Sequence, residues 1–424
     1  MAASVLGFEP CLIACHECGQ LHRVNAVPER GGARCVRCGS GLYKAKRNSV
    51  ERSLVLTVAA LILFTLAVSF PFMSFALEGR VQEANLFTGV VELYRQGLWP
   101  LAALVLCVMV LFPLLKLLAG LYVLLPMWLD RRPAHAAGVF RLVETLHPWA
   151  MMEVFLLGVL VAYVKLVEMA TVELGIALYS FAALIVVMVW SETSLDPRQV
   201  WDRLPVRGGR SRGGDSGVLV GCHACDLVCR VRPDEGGDHA RCPRCGAALH
   251  RRKPNSLSRT AALVLTAAIL YIPANVYPVM TVISFGKGTP DTILSGIREL
   301  FHAGMWPLAL LVFFASITVP MLKLAGLSYL LLSVRRKSRW RLRDRTLLFR
   351  IIEAVGRWSM IDIFMISILV ALVKLGTIAT IEPGVGATSF AAVVIVTMIA
   401  SMCFDPRLMW DAAEAEDGRA RRSG

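Results

Sequence analysis

Eight long stretches of predominantly apolar residues alternate with shorter polar segments along the chain. Each stretch is long enough to cross the ~30 Å hydrocarbon core of a bilayer as a helix. A backbone in contact with lipid must satisfy its own hydrogen bonds, which makes a helix the expected structure of each stretch. The predicted spans are Leu54–Met73, Trp99–Leu125, Ala150–Val167, Leu174–Trp190, Ala261–Met280, Trp306–Ser333, Ser359–Leu375 and Ala387–Cys403.

The two halves of the chain form an internal repeat. Matching residues lie 207 positions apart early in each half (Lys116 and Lys323) and 209 apart later (Trp201 and Trp410). The second copy therefore gains two residues between its second and third spans. Each copy is a cysteine-rich head followed by four spans, and an even number of spans gives both copies the same orientation. The pattern predicts an all-α polytopic membrane protein with two parallel four-helix repeats.

Composition and charge agree with this class. The chain has 424 residues, 56% of them hydrophobic, and a net charge of +14. The excess basic residues fall in the loops after the second span of each copy, in the linker between the copies and in the tail, all on one side of the predicted membrane. This distribution predicts that side to be cytoplasmic, with both termini and both cysteine-rich heads on it. Because the basic residues are explained by topology, no nucleic-acid partner is expected.

Each head contains two C-x-x-C pairs separated by 16 residues. Two such pairs place four thiolates around one tetrahedral ion, so the spacing predicts a structural zinc ribbon in each head. Four thiolates do not by themselves select the metal, and iron in a rubredoxin-like site is the alternative. A disulfide framework is disfavoured by the cytoplasmic placement, and a redox role lacks the βαβ context it requires. The predicted ligands are Cys15, Cys18, Cys35 and Cys38, and Cys222, Cys225, Cys242 and Cys245.

These features predict six segments. They are zinc ribbon 1 at 1–47, a four-helix transmembrane unit at 48–202, a flexible basic linker at 203–216, zinc ribbon 2 at 217–253, a second four-helix unit at 254–411 and a polar tail at 412–424.

A set of polar residues lies inside the predicted spans, where charges are costly and usually functional. Lys323 lies deep in the sixth span and Asp362 near the start of the seventh, so the two are expected to form an ion pair; Lys116 and Glu153 are the equivalent pair in the first copy. The second copy adds Asn275, Ser316, Thr318, Ser359 and Thr397, whose counterparts in the first copy are mostly apolar. Polar residues of this kind often serve only to join helices. Gathered around a lysine and an aspartate, they predict a proton relay in the second copy, in which Asp362 titrates.

Several paired motifs resemble the paraquat-inducible protein A family over nearly the whole chain. The motifs are the cysteine pairs, Asn48-Ser49 and Asn255-Ser256, Gly97-x-Trp99-Pro100 and Gly304-x-Trp306-Pro307, Pro113-x-x-Lys116 and Pro320-x-x-Lys323, and Asp196-Pro197-Arg198 and Asp405-Pro406-Arg407. The first copy departs from the family pattern in having Val68 where the second has Asn275, which suggests a less active first half. The resemblance implies a bacterial inner-membrane protein that moves phospholipid between the inner and outer membranes with a periplasmic partner of the MCE type.

The predicted function is therefore to load or extract lipid for an MCE partner, and the polar set of the second copy predicts that protons drive this step. The chain has no G-x-x-x-x-G-K-[ST] loop, so energy would come from an ion gradient or from a partner. One alternative is a membrane scaffold that anchors the conduit without transporting lipid. Another is a metal or redox sensor that uses the cysteine heads. An enzyme is not expected, because neither a nucleophile–base pair nor an open metal site is visible.

Overall fold

The computed structural model describes eleven ranges of the chain: 12–23, 31–44, 46, 48–77, 80–131, 135–167, 171–205, 218–231, 240–284, 287–372 and 379–414. The predicted linker (203–216) and tail (412–424) lie almost wholly outside these ranges. Within them the protein is mostly helical. Seven helical stretches are long and apolar enough to cross a membrane: Ser49–Ser69, Trp99–Trp128, Ala136–Val164, Ile176–Ser194, Ser256–Val276, Trp306–Arg335 and Val385–Cys403.

The repeat predicted from the sequence gives two helical units with the same order of elements. Unit 1 contains α1 (Ser49–Ser69), β5 (Met73–Leu77), β6 (Arg80–Ala84), α2 (Thr88–Arg95), α3 (Trp99–Leu106), α4 (Phe112–Trp128), α5 (Ala136–Leu146), α6 (Met152–Val167), β7 (Thr171–Leu174), α7 (Ile176–Ser194) and α8 (Pro197–Arg203). Unit 2 contains α9 (Ser256–Val276), β10 (Met280–Ser284), β11 (Lys287–Asp291), α10 (Ile293–His302), α11 (Trp306–Phe313), α12 (Val319–Arg335), α13 (Leu342–Val355), α14 (Ile361–Leu372), β12 (Ala379–Pro383) and α15 (Val385–Cys403). A last helix covers 407–414.

Each head is built of short strands, which carry the cysteine knuckles between them. Ribbon 1 (residues 12–44) contains β1 (Leu12–Ala14), β2 (Leu21–Arg23), β3 (Gly32–Arg34) and β4 (Gly41–Lys44), paired as β1–β2 and β3–β4. Ribbon 2 (residues 218–250) contains the antiparallel pair β8 (Val218–Gly221) and β9 (Val228–Val231) and a bridge between Arg241 and Ala248.

A three-stranded antiparallel sheet caps each unit at the end opposite to its ribbon, and it corrects the predicted span boundaries. The strand orders are β6-β5-β7 and β11-β10-β12. Met73, Leu174 and Met280, all predicted to lie in membrane helices, are strand residues. The α-helical region is disfavoured for a residue before proline, so α1 ends at Ser69, ahead of Pro71. At their other ends, α1 and α9 begin several residues earlier than predicted, at Ser49 and Ser256.

The second span of each unit is not the uniform α-helix that the sequence predicts. A π-helical turn interrupts it at Cys107–Leu111 in unit 1 and at Phe314–Thr318 in unit 2. A proline ring clashes with the carbonyl four residues earlier and offers no N–H to it. For Pro113 and Pro320 that carbonyl belongs to Met109 and Ser316, the middle residue of each π turn. The wide turn thus accommodates the proline without breaking the helix.

The third span of each unit also differs from the prediction. In unit 1, α5 is a separate helix where a loop was predicted, and a short 3-10 turn at His147–Trp149 joins it to α6. In unit 2, the predicted span Ser359–Leu375 begins within a 3-10 turn at Gly356–Met360 and continues as α14. Residues 373–378 lie outside the described ranges. Residues 361–370 of α14 are all buried, because α14 packs against both α6 and α2 of unit 1 and so joins the two units.

The two ribbons are docked crosswise. The cysteines of ribbon 1 are buried in one apolar cluster with Leu324, Leu327, Phe349 and Trp410 of unit 2. The cysteines of ribbon 2 are buried with Val50, Val123, Phe140 and Trp201 of unit 1. Each ribbon therefore covers the end of the unit that it does not precede in the chain.

Polar contacts reinforce the crossed arrangement. Arg37 of ribbon 1 lies 2.5 Å from the carboxylate of Glu414 and stacks over the ring of Trp410 at 4.6 Å. Arg244 of ribbon 2 lies 3.2 Å from the carboxylate of Asp202 in unit 1. The ribbons also meet each other, through a 2.6 Å contact between His16 Nε2 and Asp226 Oδ1.

Candidate metal centres and intramembrane polar sites

The four predicted cysteines of ribbon 1 converge on one point. Sγ of Cys15 lies 3.5 Å from Sγ of Cys38, Sγ of Cys18 lies 3.5 Å from that of Cys35, and all four ligand atoms lie within 4.8 Å of one another. A tetrahedral ion with Zn–S bonds of about 2.3 Å requires sulfurs about 3.8 Å apart, close to the observed spacing. The cluster is buried and the cysteines are free thiols. This donor set could hold one metal ion with a complete thiolate shell.

Ribbon 2 repeats this geometry. Cys222 and Cys245 lie 3.5 Å apart at their sulfurs, as do Cys225 and Cys242. The knuckle turns require a positive φ, which Gly19, Gly39 and Gly246 adopt readily. Asp226 occupies the fourth such position at φ 57, and its carboxylate is the one that contacts His16 of ribbon 1. The replacement of glycine by aspartate therefore serves the contact between ribbons, a role that sequence reasoning did not identify.

In unit 2, the structure brings three of the predicted polar residues together. Lys323 is only 1% exposed, and its ammonium donates to Ser359 Oγ at 3.3 Å and to Thr397 Oγ1 at 3.4 Å. Both hydroxyls donate their own protons to backbone carbonyls, of Gly356 at 2.9 Å and Val394 at 2.9 Å, which leaves their oxygen lone pairs directed at the ammonium. A Cβ on Gly356 would lie 2.6 Å from Cε of Lys323, so the glycine makes room for the lysine stem.

Asp362, the predicted partner of Lys323, lies on a different side of this group. It is 4% exposed and lines a cavity of about 30 Å³, together with Asp291 and Thr292 at the capping-sheet end of unit 2 and Val312 of α11. The predicted direct pair is thus replaced by two hydroxyl contacts to Lys323, while Asp362 faces the side of the capping sheet. Sequence spacing alone places Ser359 and Asp362 within one turn, but it does not determine which of them faces the lysine.

The remaining candidates of unit 2 do not join the Lys323 group through any contact that the described residues show. Ser316 is fully buried in the π turn and donates to the carbonyl of Val312 at 2.7 Å. Thr318 lies in the same π turn and is half-buried. Asn275 donates to the carbonyl of Tyr271 at 2.8 Å, one turn earlier in its own helix. Asn275 therefore supports the end of α9, next to Pro273.

In unit 1, the environment of Lys116 differs from the prediction. The carboxylate that contacts its ammonium is Glu192 of α7, whereas the sequence predicted Glu153. His147 Nδ1 lies 3.0 Å from the same ammonium and 3.6 Å from the carboxylate of Glu192. Unit 1 therefore contains a lysine, a glutamate and a histidine in mutual contact, and the expectation of a largely apolar first copy does not describe this site. The sequence shows Glu192 as an acidic residue just beyond a predicted span, but it does not show that this residue contacts Lys116.

In each unit, the Asn-Ser motif and the Asp-Pro-Arg motif contact each other. Ser49 Oγ accepts a hydrogen bond from the backbone N–H of Asp196 at 2.6 Å, and Ser256 Oγ accepts one from Asp405 at 3.0 Å. Each aspartate accepts from the N–H two residues later, at 3.1 Å, and so caps the short helix that follows. The Asn-Ser and Asp-Pro-Arg motifs thereby join the start of the first span to the end of the fourth.

The environment of Asp405 keeps this carboxylate charged. Burial would raise the pKa of Asp405, but Arg407 and the backbone N–H groups of Lys253 and Arg407 outweigh it and lower the pKa below its usual value. The contribution of this carboxylate to stability is therefore present at neutral pH and is lost as the pH falls through the lowered pKa.

Two repeated helical units, each with apolar helices, a buried lysine and a four-cysteine cluster at one end, define a multi-pass membrane protein with two candidate metal centres. The family described as "Paraquat-inducible protein A" matches residues 50–205 and 257–414. The chain belongs to this family, as its paired motifs led us to expect.

Named relatives cover almost the entire chain. "Intermembrane transport protein PqiA" of Escherichia coli K12 is 33% identical over 94% of this chain and 95% of its own length. "Lipophilic envelope-spanning tunnel protein A" of the same organism is 31% identical over 96% of this chain and 92% of its own length. A "Probable intermembrane transport protein" of Haemophilus influenzae is 27% identical over 96% of this chain and 97% of its own length. No solved structure matches the chain.

Proposed function

We propose that this protein is an inner-membrane component of an intermembrane phospholipid transport system. It would load or extract lipid for a periplasmic conduit formed by an MCE-domain partner, without chemical conversion of the lipid. The support comes from membership of the family and from relatives named for intermembrane transport and for an envelope-spanning tunnel. The seven apolar helices provide the membrane-embedded body that such a component needs.

The topology we propose has eight spans, with α14 as part of the seventh. The ribbons, the linker and the tail then lie in the cytoplasm, and the two capping sheets face the periplasm. The support is the concentration of arginine on the ribbon side, for example Arg339, Arg341 and Arg343 after α12. On this view the capping sheets are the surfaces that face the periplasmic partner.

We propose zinc as the metal of both ribbons, held by their two sets of four cysteines. Zinc supplies no chemistry in a closed four-thiolate site and serves to fix the fold of a small domain. Iron is the alternative, and metal analysis of the purified protein distinguishes the two.

The observation that carries the transport proposal is the isolation of Lys323 among hydroxyl groups. Its ammonium is 1% exposed and contacts Ser359 and Thr397, which bring no negative charge. A buried charge whose contacts are neutral groups is expensive and is retained where it serves a function. Asp362 lies one helical turn beyond Ser359 and lines a cavity toward the outer end of unit 2. A proton that enters through this cavity would meet Asp362 first, with the Lys323 group behind it.

The test is lipid transfer by the full chain reconstituted with its MCE partner in phospholipid vesicles, with and without an imposed proton gradient. We expect Lys323→Ala and Asp362→Asn to lower the rate roughly tenfold or more, since each removes a charged group whose interactions are worth about 1.5–3 kcal/mol. Expression and the number of bound metal ions should stay at the level of the parent protein.

Lys116→Ala is the matched control in unit 1, and we expect it to reduce transfer less. Equal loss at the two lysines would contradict the assignment of the relay to unit 2. Full transfer by both the Lys323 and Asp362 variants would favour a scaffold that anchors the conduit. A change of activity on metal removal or thiol oxidation, with the polar site intact, would favour a sensor.

A further inference from the structure

A cavity of about 240 Å³ lies on the ribbon side of unit 1, between ribbon 1 and the end of α7. Its wall includes Lys44 at the end of ribbon 1, Lys46 between ribbon 1 and α1, and Arg198 from α8, with Tyr43 and Asp196 beside them. α1 begins at Ser49 and α7 ends at Ser194, so this basic cavity lies at the ribbon-side ends of two candidate membrane spans. Lipid phosphates lie at the same level of a bilayer.

Two of the three cations of the basic cavity, Lys46 and Arg198, are held in place by contacts with their neighbours. Lys46 Nζ donates to the carbonyl of Leu195 at 2.6 Å. Burial lowers the pKa of Lys46 even though Asp196 acts in the opposite direction, which indicates that its charge is only partly compensated. The guanidinium of Arg198 stacks on the ring of Tyr43, with its central carbon 5.1 Å from the ring centre. A stacked guanidinium keeps its N–H edge available for an anion.

The two carboxylates of the wall already have partners. Asp196 is 3% exposed and accepts from the backbone N–H of Arg198 at 3.1 Å and from the hydroxyl of Tyr43 at 3.2 Å. Asp226 contacts His16 at 2.6 Å. Among the described residues of the wall, three are basic (Lys44, Lys46 and Arg198) and two are acidic, and both acidic residues are already paired. The charge of the cavity therefore favours an anion.

In the second copy of the repeat, the arginine of the Asp-Pro-Arg motif is paired with the aspartate of the same motif; we call this the closed copy. Arg407, the counterpart of Arg198, turns its Nε to the carboxylate of Asp405 at 3.0 Å, and the position of Tyr43 is taken by His250. Arg252 occupies the same region and pairs with Asp411 at 2.5 and 2.6 Å. The difference between copies is therefore specific: unit 2 neutralises its arginine internally, whereas unit 1 leaves it stacked beside a cavity.

We propose that the basic cavity binds the phosphate group of a phospholipid headgroup in the leaflet on the ribbon side. Arg198 and Lys46 would hold the phosphate oxygens, with Lys44 at the rim. Basic pockets at the ends of membrane helices are suited to anionic headgroups, and a guanidinium matches the geometry of a phosphate. The proposal does not depend on lipid transport or on proton coupling. Free phosphate shares this chemistry and is a separate arm of the test.

The experiment measures binding of phosphatidylglycerol to the purified full chain in detergent, by native mass spectrometry over a lipid titration. We expect Arg198→Gln to weaken binding about tenfold, the effect of one charge-assisted contact. Lys44→Gln, a change at an exposed rim position, should weaken it by a smaller factor. Arg407→Gln is the matched control in the closed copy and should leave lipid binding unchanged.

A second arm replaces the lipid with inorganic phosphate and follows thermal unfolding. Phosphate that stabilises the parent protein as well as phosphatidylglycerol does, but not the Arg198→Gln variant, would retain the anion site and assign it to free phosphate. Equal lipid binding by the parent and both Arg198→Gln and Lys44→Gln would overturn the proposal, as would equal losses in Arg198→Gln and Arg407→Gln. The melting temperatures of the variants in the absence of lipid show whether any loss reflects misfolding.

Discussion

Lys116 and Lys323 occupy equivalent positions, yet their surroundings meet the cost of a buried charge in different ways. Lys116 is 8% exposed and contacts Glu192 and His147, so that a counter-ion balances it. Lys323 is 1% exposed and contacts only the hydroxyls of Ser359 and Thr397 among the described residues. The partners come from different positions: Glu192 matches Ser401, and Thr397 matches Met188. A balanced ion pair is the arrangement expected of a structural site, and an unbalanced ammonium that of a site whose charge state matters.

Removal of the counter-ion in unit 1 tests this difference. Glu192→Gln leaves the ammonium of Lys116 with His147 alone, and the side chain of Glu192 is 34% exposed, which moderates the loss. We expect the free energy of unfolding to fall by about 1–3 kcal/mol, visible as a lower melting temperature in detergent.

Ser401→Ala changes the equivalent position in unit 2 and is the matched control. Ser401 donates to the carbonyl of Met398 in its own helix, at 2.7 Å, so its removal should have little effect. A Glu192→Gln protein that melts with the parent would mean that the Lys116–Glu192 pair adds no stability.

The sequence predicted which residues carry the chemistry better than it predicted their contacts. It identified Lys323, Ser359 and Thr397 because polar residues stand out against apolar spans. It did not predict that Ser359 rather than Asp362 contacts the lysine, because the choice depends on the 3-10 turn at Gly356–Met360, which sets the rotation of α14. It missed Glu192 as the partner of Lys116 because the two belong to helices whose packing the repeat pattern does not reveal.

Among the helices, the π turns have the clearest mechanical consequence. The turn at Phe314–Thr318 directly precedes α12, which carries Pro320 and Lys323, and the turn at Cys107–Leu111 directly precedes α4 in unit 1. One extra residue in a turn rotates everything beyond it by about 100° relative to a regular helix. The face that Lys323 presents to Ser359 and Thr397 therefore depends on the π turn. Proline positions are visible in the sequence, but the sequence does not show whether a helix forms a kink or a π turn at a proline, because this depends on the helices packed against it.

Pro320→Ala tests the π turn directly. Alanine restores the N–H that can donate to the carbonyl of Ser316 and removes the ring that opposes a regular turn. We expect lipid transfer in reconstituted vesicles to fall several-fold or more, because the part of the span that precedes the π turn must rotate relative to Lys323. The melting temperature should stay level or rise, since proline is the least favourable residue in a helix interior, by about 3 kcal/mol.

The control is Pro113→Ala, which makes the same change in unit 1 and should reduce transfer less. If Pro320→Ala transfers lipid at the parental rate, the π turn is a packing feature without a role in transport. If it unfolds the protein, the melting curve shows this independently of the transfer assay.

At the scale of the whole molecule, the crossed ribbons connect the two units. Ribbon 1 covers the α12–α13 end of unit 2, and ribbon 2 covers the corresponding end of unit 1. α14 of unit 2 packs against α2 and α6 of unit 1, which adds a second connection within the helices. The repeat and the cysteine spacing predicted two ribbons and two units. They did not predict the crossing, because each ribbon is adjacent in sequence to its own unit. The apolar ends of the two units are also chemically alike, so the sequence does not show which of them a given ribbon packs against.

The crossing makes a specific prediction about metal removal. Cys15→Ser together with Cys18→Ser should abolish metal binding by ribbon 1 alone, because two of its four ligands are lost. If ribbon 1 covers unit 2, faster hydrogen exchange should appear in α12, α13 and helix 407–414, while α4 and α5 of unit 1 keep the parental rate.

The double variant Cys222→Ser, Cys225→Ser should give the opposite pattern, with the loss of protection in α4, α5 and α8. Exchange measured by mass spectrometry on the full chain resolves these segments, and the metal content of each variant confirms that one site remains occupied. Loss of protection confined to the unit that directly follows the altered ribbon would show that each ribbon supports its own unit.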